Sequence, residues 1–262
     1  MYKEQVIRAG RTEEHSFYHS IRYKNGDKGV EKRAKRIKPT SERQALINRK
    51  RVERTLTRLL NANFGKDDLY VTWTFAKENR PGDPERFKEI VQSLLKALRK
   101  LFKKLGLRFR YIWVGERGER GAEHIHMVMT GIDIRMLKPL WPYGFVDCTS
   151  LDPSGSYHRL ANYFMKYSDK TMKTEGRLQG KRYNPSHGLI HPEPDKPKIR
   201  MRKTFSPDNI KVPAGWYLER DTVEYGISKE TNYEYLYYTL VMLPDYIPQK
   251  AKKQKSPNRR PS

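Results

Sequence analysis

The run Glu123-His-Ile-His-Met-Val-Met129, closed by Thr130 and Gly131, constrains the fold more than any other stretch of the chain. Read as a strand, its side chains alternate, so that His124 and His126 share one face while Ile125, Met127 and Met129 take the other. Two imidazoles on one face of a strand are a ready-made pair of metal ligands. The elements around this strand follow from hydrophobic period. Leu69–Phe75 alternates β-branched and aromatic residues and predicts a first core strand. Pro84 opens a helix whose Phe87, Ile90, Val91, Leu94, Leu95, Leu98, Leu101, Phe102 and Leu105 recur every three or four residues until Gly106. Phe109–Gly115 predicts a second strand, and the glycine-rich turn from Glu116 to Glu123 pairs it with the histidine strand as an antiparallel hairpin.

Outside this block the signals are weaker. Residues 1 to about 40 are polar and carry no assigned structure. Val52, Leu56, Leu59 and Leu60 predict a helix over Ser41–Phe64 with Ser41 as its cap, either a solvated helix with a thin apolar stripe or one that contacts phosphates. A short strand over Gly144–Cys148, a helix from about Tyr157 to Lys170, and strands over Trp216–Glu224 and Tyr233–Leu243 complete the reading. The division that results is a basic N-terminal arm and helix (1–65), a core domain (66–203), a β-rich C-terminal extension (204–248) and a basic tail (249–262) of disordered composition.

Charge narrows the partner. Lys and Arg total 54 against 30 Asp and Glu, a net charge of +24 over 262 residues, which points to a polyanion and by default to nucleic acid. Twelve of the basic residues and only three acidic ones fall between Lys28 and Arg58. A single cysteine, Cys148, excludes an intrachain disulfide framework and fits a reducing compartment. No signal-peptide core is present at the N-terminus, and no segment approaches the ~18 apolar residues of a membrane span, so an intracellular protein without a membrane partner is expected.

The candidate chemistry is phosphodiester cleavage by a protein nucleophile. It needs a hydroxyl that can be deprotonated and aligned with phosphorus, and a cation to absorb charge on the phosphoryl oxygens. His124 and His126 are too few ligands alone, so a carboxylate must complete the set. Glu116 at the end of the partner strand is the first choice, with Glu119 and Glu123 in the turn as alternatives. Imidazole and carboxylate ligands suit Mg²⁺ or Mn²⁺, although they would also accept Zn²⁺. Tyr163, Lys166 and Tyr167 stand at i, i+3 and i+4 and therefore share a helix face, where a lysine beside a phenol favours phenolate. Leu160, Tyr163, Phe164 and Tyr167 would equally make a core stripe, and spacing alone leaves both readings open. His15, His19, His158, His187 and His191 receive no role, and Asp67 and Asp68 read as a turn.

VGERGERGAEHIHMVMTG (114–131) resembles the His-hydrophobe-His motif of HUH endonucleases, and NYFMKYSDK (162–170) resembles their Tyr-x-x-Lys-Tyr motif. With LYVTWTF (69–75) as a first motif, their order is similar to that of rolling-circle replication initiators of phage and plasmid type, over roughly Asp67 to Lys203. KRYNPSHGL (181–189) resembles a basic segment that follows the tyrosine helix in such proteins. The resemblance implies an α+β fold: an antiparallel sheet of about five strands with helices packed on it, the histidines on a central strand and the tyrosine on an adjacent helix. It also implies nicking of single-stranded or origin DNA to leave a 5′-phosphotyrosine and a free 3′-hydroxyl. Tyr163 and Tyr167 would then act in turn, in a bacterial cytoplasm. No GxxxxGK[ST] motif occurs, so a separate host helicase, with a polymerase, would unwind and copy the template. The alternatives are a relaxase or single-strand transposase with the same site, or a non-catalytic basic DNA- or RNA-binding regulator.

Overall fold

The computed structural model describes residues 2–19, 42–118, 121–173, 178–201, 205–229 and 231–246. Its strands are β1 Tyr2–Ala9, β2 Thr12–His19, β3 Leu69–Phe75, β4 Tyr111–Arg117, β5 Glu123–Met129, β6 Gly144–Ser150, β7 Asn184–Pro185, β8 Lys198–Arg200, β9 Trp216–Ile227 and β10 Glu234–Met242. The helices are α1 Glu42–Asn63, α2 Pro84–Lys104 and α3 His158–Lys173. The fold is α+β, with two five-stranded antiparallel sheets ordered β6-β3-β5-β4-β7 and β8-β1-β2-β10-β9.

The first sheet is covered on both faces, as its sequence periods require. Val71, Trp73, Ile125 and Met127 point to one side, where Phe87, Val91, Leu94, Leu98 and Phe102 of α2 bury them. Asp83 caps α2 by accepting from the Arg86 amide at 2.7 Å, with Pro84 in the first turn where a missing N–H costs nothing. The opposite side carries Ile112, Val114 and Val128 under α1 and α3, through Leu56, Leu59, Leu60, Ala161, Phe164 and Met165. The histidine strand β5 runs through the middle of this sheet, hydrogen-bonded to β3 on one side and β4 on the other.

The N-terminal residues to which the sequence assigns no structure form a hairpin, β1 and β2, and the second sheet joins it to the C-terminal strands β9 and β10. Apolar period misses this hairpin because its buried positions are polar. Thr12 and Glu14 lie buried on the α1 side, where Asn61 donates to the Thr12 hydroxyl at 3.1 Å and Arg58 reaches Glu14 at 2.6 Å. Gly10 makes the turn possible twice over: it holds φ +58, and a Cβ there would stand 2.0 Å from the Asn61 carbonyl of α1. Helix α1 is thus neither a solvated arm nor a bare phosphate contact. Its leucines pack on α3 and its polar flank on the second sheet. The Ser41 cap and the tail 249–262 lie outside the described residues.

Candidate functional site

Strand register builds the site. On β5, His124 lies opposite Thr74 of β3 and Glu116 of β4, and His126 lies opposite Thr72 and Val114. Alternation therefore puts Tyr70, Thr72, Thr74, Glu116, His124 and His126 on the one face that α3 approaches. Glu116 reaches diagonally past its direct partner: its Oε2 stands 2.9 Å from His126 Nε2, and both residues are buried. The two imidazole rings lie 6.1 Å apart and nearly parallel, at 26°. Of the alternative carboxylates, Glu123 falls with Ile125 on the other face of the strand and pairs with Arg117 at 3.4 Å. Glu119 lies outside the described residues.

Each imidazole is held from behind by hydroxyls of β3. The Tyr70 hydroxyl lies 2.7 Å and the Thr72 hydroxyl 3.3 Å from His126 Nδ1, and the Thr74 hydroxyl lies 3.0 Å from His124 Nδ1. A hydroxyl donates or accepts, so these partners serve either tautomer of the ring. With Nε2 donating to Glu116, His126 Nδ1 accepts from Tyr70; with Nε2 used as a lone-pair donor, Nδ1–H points back to the same oxygens. Burial, and after it the neighbouring His126, holds the His124 imidazole below its ordinary value, which favours the neutral ring that ligates metals. Sequence reasoning does not single out these three hydroxyls. Their signal is present, since LYVTWTF alternates, but which strand it pairs with, and in which register, is not written in the segment itself.

Helix α3 lays its tyrosines on the histidine face. The Tyr167 ring stacks on the His126 ring at 4.5 Å and 9°, while Tyr163 meets it edge-on at 5.9 Å. The two tyrosines touch each other edge to face at 4.3 Å, and Tyr163 also stands 6.2 Å from Tyr70. The core stripe of α3 is Ala161, Phe164 and Met165, all buried, whereas Tyr163 is 41% exposed and Tyr167 half-buried. Lys166 is exposed. The Tyr167 phenol is pushed up, by burial first and by Tyr163 next, and Tyr70 is raised as well, chiefly by burial. Lys166 is not among the charges that set the Tyr167 value, so the expected lowering by this lysine is not visible there. Asp169, two residues beyond Tyr167, ties α3 to α1 through Arg49 at 2.5 Å and to the following segment through Arg182. Gln179 of that segment accepts from the Gly115 amide at 2.9 Å and so fixes the basic loop against β4.

Residues 68–172 match the family described as Replication-associated protein ORF2/gene II protein. This part of the chain belongs to that family. No curated protein and no solved structure gives a significant match. The family comprises rolling-circle replication initiators of HUH type, and the matched span runs from the turn before β3 through the tyrosines of α3. Membership implies a role in replication initiation with DNA as partner. Among the described residues, no helix is long and apolar enough to cross a membrane.

The fit of a divalent ion rests on donor chemistry. Among the described residues, no three His, Cys, Asp or Glu side chains converge closely enough to form a ready cage. The donors themselves suit one: two imidazoles whose Nδ1 atoms are already satisfied, and one carboxylate in contact with His126 Nε2. His124, His126 and Glu116 are the residues that would hold it.

Proposed function

We propose that the chain nicks one strand of origin DNA by tyrosine attack and stays covalently attached. The single observation that carries this reading is the packing of both Tyr163 and Tyr167 against the His126 ring, on the face where His124 and Glu116 also stand. Tyr163 is the first nucleophile. It is the more exposed of the two and opens the Tyr-x-x-Lys pattern.

In this reaction the Tyr163 phenol loses its proton to solvent, its oxygen attacks phosphorus, and the bond from phosphorus to the 3′ oxygen breaks. The 3′ oxygen takes up a proton and leaves as a free hydroxyl; the 5′ phosphate remains on the tyrosine. The β3 hydroxyls hold both imidazoles in place. Lys166, one turn along the exposed side of α3, contacts a phosphate as a point charge. When bound by His124, His126 and Glu116, Mg²⁺ or Mn²⁺ supplies charge stabilisation at the phosphoryl oxygens. Such work suits the cytoplasm of a bacterial host, with unwinding and synthesis left to a separate helicase and polymerase.

The test is a covalent trap. The full chain is incubated with a pool of random single-stranded oligonucleotides and Mn²⁺, then denatured. Adducts that survive denaturant, disappear in EDTA and map to Tyr163 are the expected result, and sequencing the attached DNA reads out the origin. If no adduct survives denaturation, the chain is a binding protein and this reading fails.

A further inference from the structure

We propose a second binding site, for single-stranded nucleic acid, in the cleft between α1 and the second sheet. It lies outside the family-matched span and does not use the tyrosines of α3. The cleft has a volume of about 670 Å³, within the ~300–1,000 Å³ usual for ligand sites.

Its floor is aromatic. Ser16 of β2 pairs with Tyr237 of β10, so alternation brings Tyr18 and Tyr235, two residues further along each strand, to the same α1-facing side. Both rings are half-buried. At the rim His19 and Tyr233 stack at 3.7 Å, and Leu46 and Ile227, each more than 60% exposed, border the opening.

The walls are basic. Helix α1 contributes Lys50, Arg51 and Arg54, and the β9–β10 turn contributes Lys229, against Glu224 and Glu234. Both carboxylates are already engaged. Glu224 binds Lys50 and Arg54 at 3.1 Å each, and Glu234 accepts from the Tyr225 hydroxyl and the Phe205 amide. The Arg54 guanidinium lies 3.7 Å over the Tyr237 ring. Arg51 and Lys229 have no acidic partner within ion-pair distance among the described residues, and both are exposed.

Aromatic planes flanked by cations match a strand whose bases are unstacked and whose phosphates are spaced along it. A duplex keeps its base faces stacked inside and cannot offer them to a cleft, and the net charge of +24 disfavours a basic or neutral peptide as occupant. The same apolar rim that would hold a peptide also accepts base faces. A site here would keep hold of single strand while the nicking face works on another part of it.

The test uses full-length Tyr163→Phe/Tyr167→Phe protein, which separates this site from covalent capture, and fluorescein-labelled dT20, U20 and a 20-base-pair duplex in anisotropy titrations. Adding Arg51→Gln/Lys229→Gln is expected to weaken dT20 binding and to flatten its salt slope by ~1.4, about 0.7 for each lost phosphate contact. Adding Tyr18→Leu/Tyr235→Leu instead should weaken dT20 by about tenfold or more with the salt slope unchanged. Ultraviolet crosslinking of bromodeoxyuridine-substituted dT20 should label peptides from 12–19 and 231–242. Weaker U20 than dT20 binding assigns the site to DNA; equal affinity assigns it to either strand type. Unchanged affinity in both variants with no crosslink to these peptides overturns the site, as does equal loss on the duplex, which would mark a general basic surface. Failure here leaves adduct formation by the wild-type chain untouched.

Discussion

The Tyr167 ring lies flat on the His126 imidazole, 9° from parallel, while Tyr163 one turn earlier meets the same imidazole edge-on. The two phenols are therefore not equivalent. Tyr163→Phe should abolish the first adduct, whereas Tyr167→Phe should still nick and fail only at a second transfer. Peptide mapping of adducts from wild type and each variant decides the order. DNA found on Tyr163 alone under every condition would remove Tyr167 from the chemistry and leave it as the packing partner of His126.

Much of this arrangement is legible in the chain and some is not. The β3, β4 and β5 strands, α2 and the shared face of the histidines follow from period 2 and period 3.6. They are buried by apolar side chains, so their pattern is written in apolar residues. The β1–β2 hairpin is invisible because Thr12 and Glu14 occupy its buried positions, made tolerable only by Asn61 and Arg58 from a distant helix. The hydroxyl shell is hidden for another reason. Tyr70, Thr72 and Thr74 gain their meaning from a register with β5 that no local signal specifies. Spacing leaves the tyrosine pair ambiguous between core stripe and surface, and the turn of α3 that exposes Tyr163 decides against the stripe there.

That shell makes its own prediction. Thr74→Val keeps shape and removes the oxygen 3.0 Å from His124 Nδ1. Loss of such an outer partner typically lowers metal affinity or activity ~10–100-fold. Titrating adduct formation against Mn²⁺ should move the half-saturation point upward in Thr74→Val while denaturation midpoints change little. A variant with the wild-type Mn²⁺ response would show that the hydroxyl only fills space.

A pH-dependent contribution comes from the other end of α3. Glu53 of α1 lies 3.5 Å from His158 Nε2, and this contact raises the half-buried imidazole above its ordinary 6.5. A group raised on folding stabilises fully below its unfolded value and loses that contribution as pH rises through the folded value. Wild type should therefore lose stability relative to Glu53→Gln as pH increases from about 6.5, by an amount on the order of 1 kcal/mol. Urea midpoints across pH 5.5 to 8.5 measure the difference, and parallel curves for the two proteins would refute it.

The Arg58–Glu14 pair is the most consequential single contact between α1 and the second sheet. Arg58 Nε and Nη2 both reach Glu14 Oε2, at 2.7 and 2.6 Å, and the Glu14 side chain is only 3% exposed. Removing one partner of a buried pair leaves the other charge without compensation and usually costs ~3–5 kcal/mol, whereas replacing both with apolar groups is often neutral. Arg58→Leu should thus lower the urea midpoint strongly with little change in m, and Arg58→Leu/Glu14→Leu should recover much of the loss. The recovery is the informative part. If the double variant is as unstable as the single one, the stranded carboxylate is not the cause, and the stem of Arg58 packing against the sheet is what holds α1 in place.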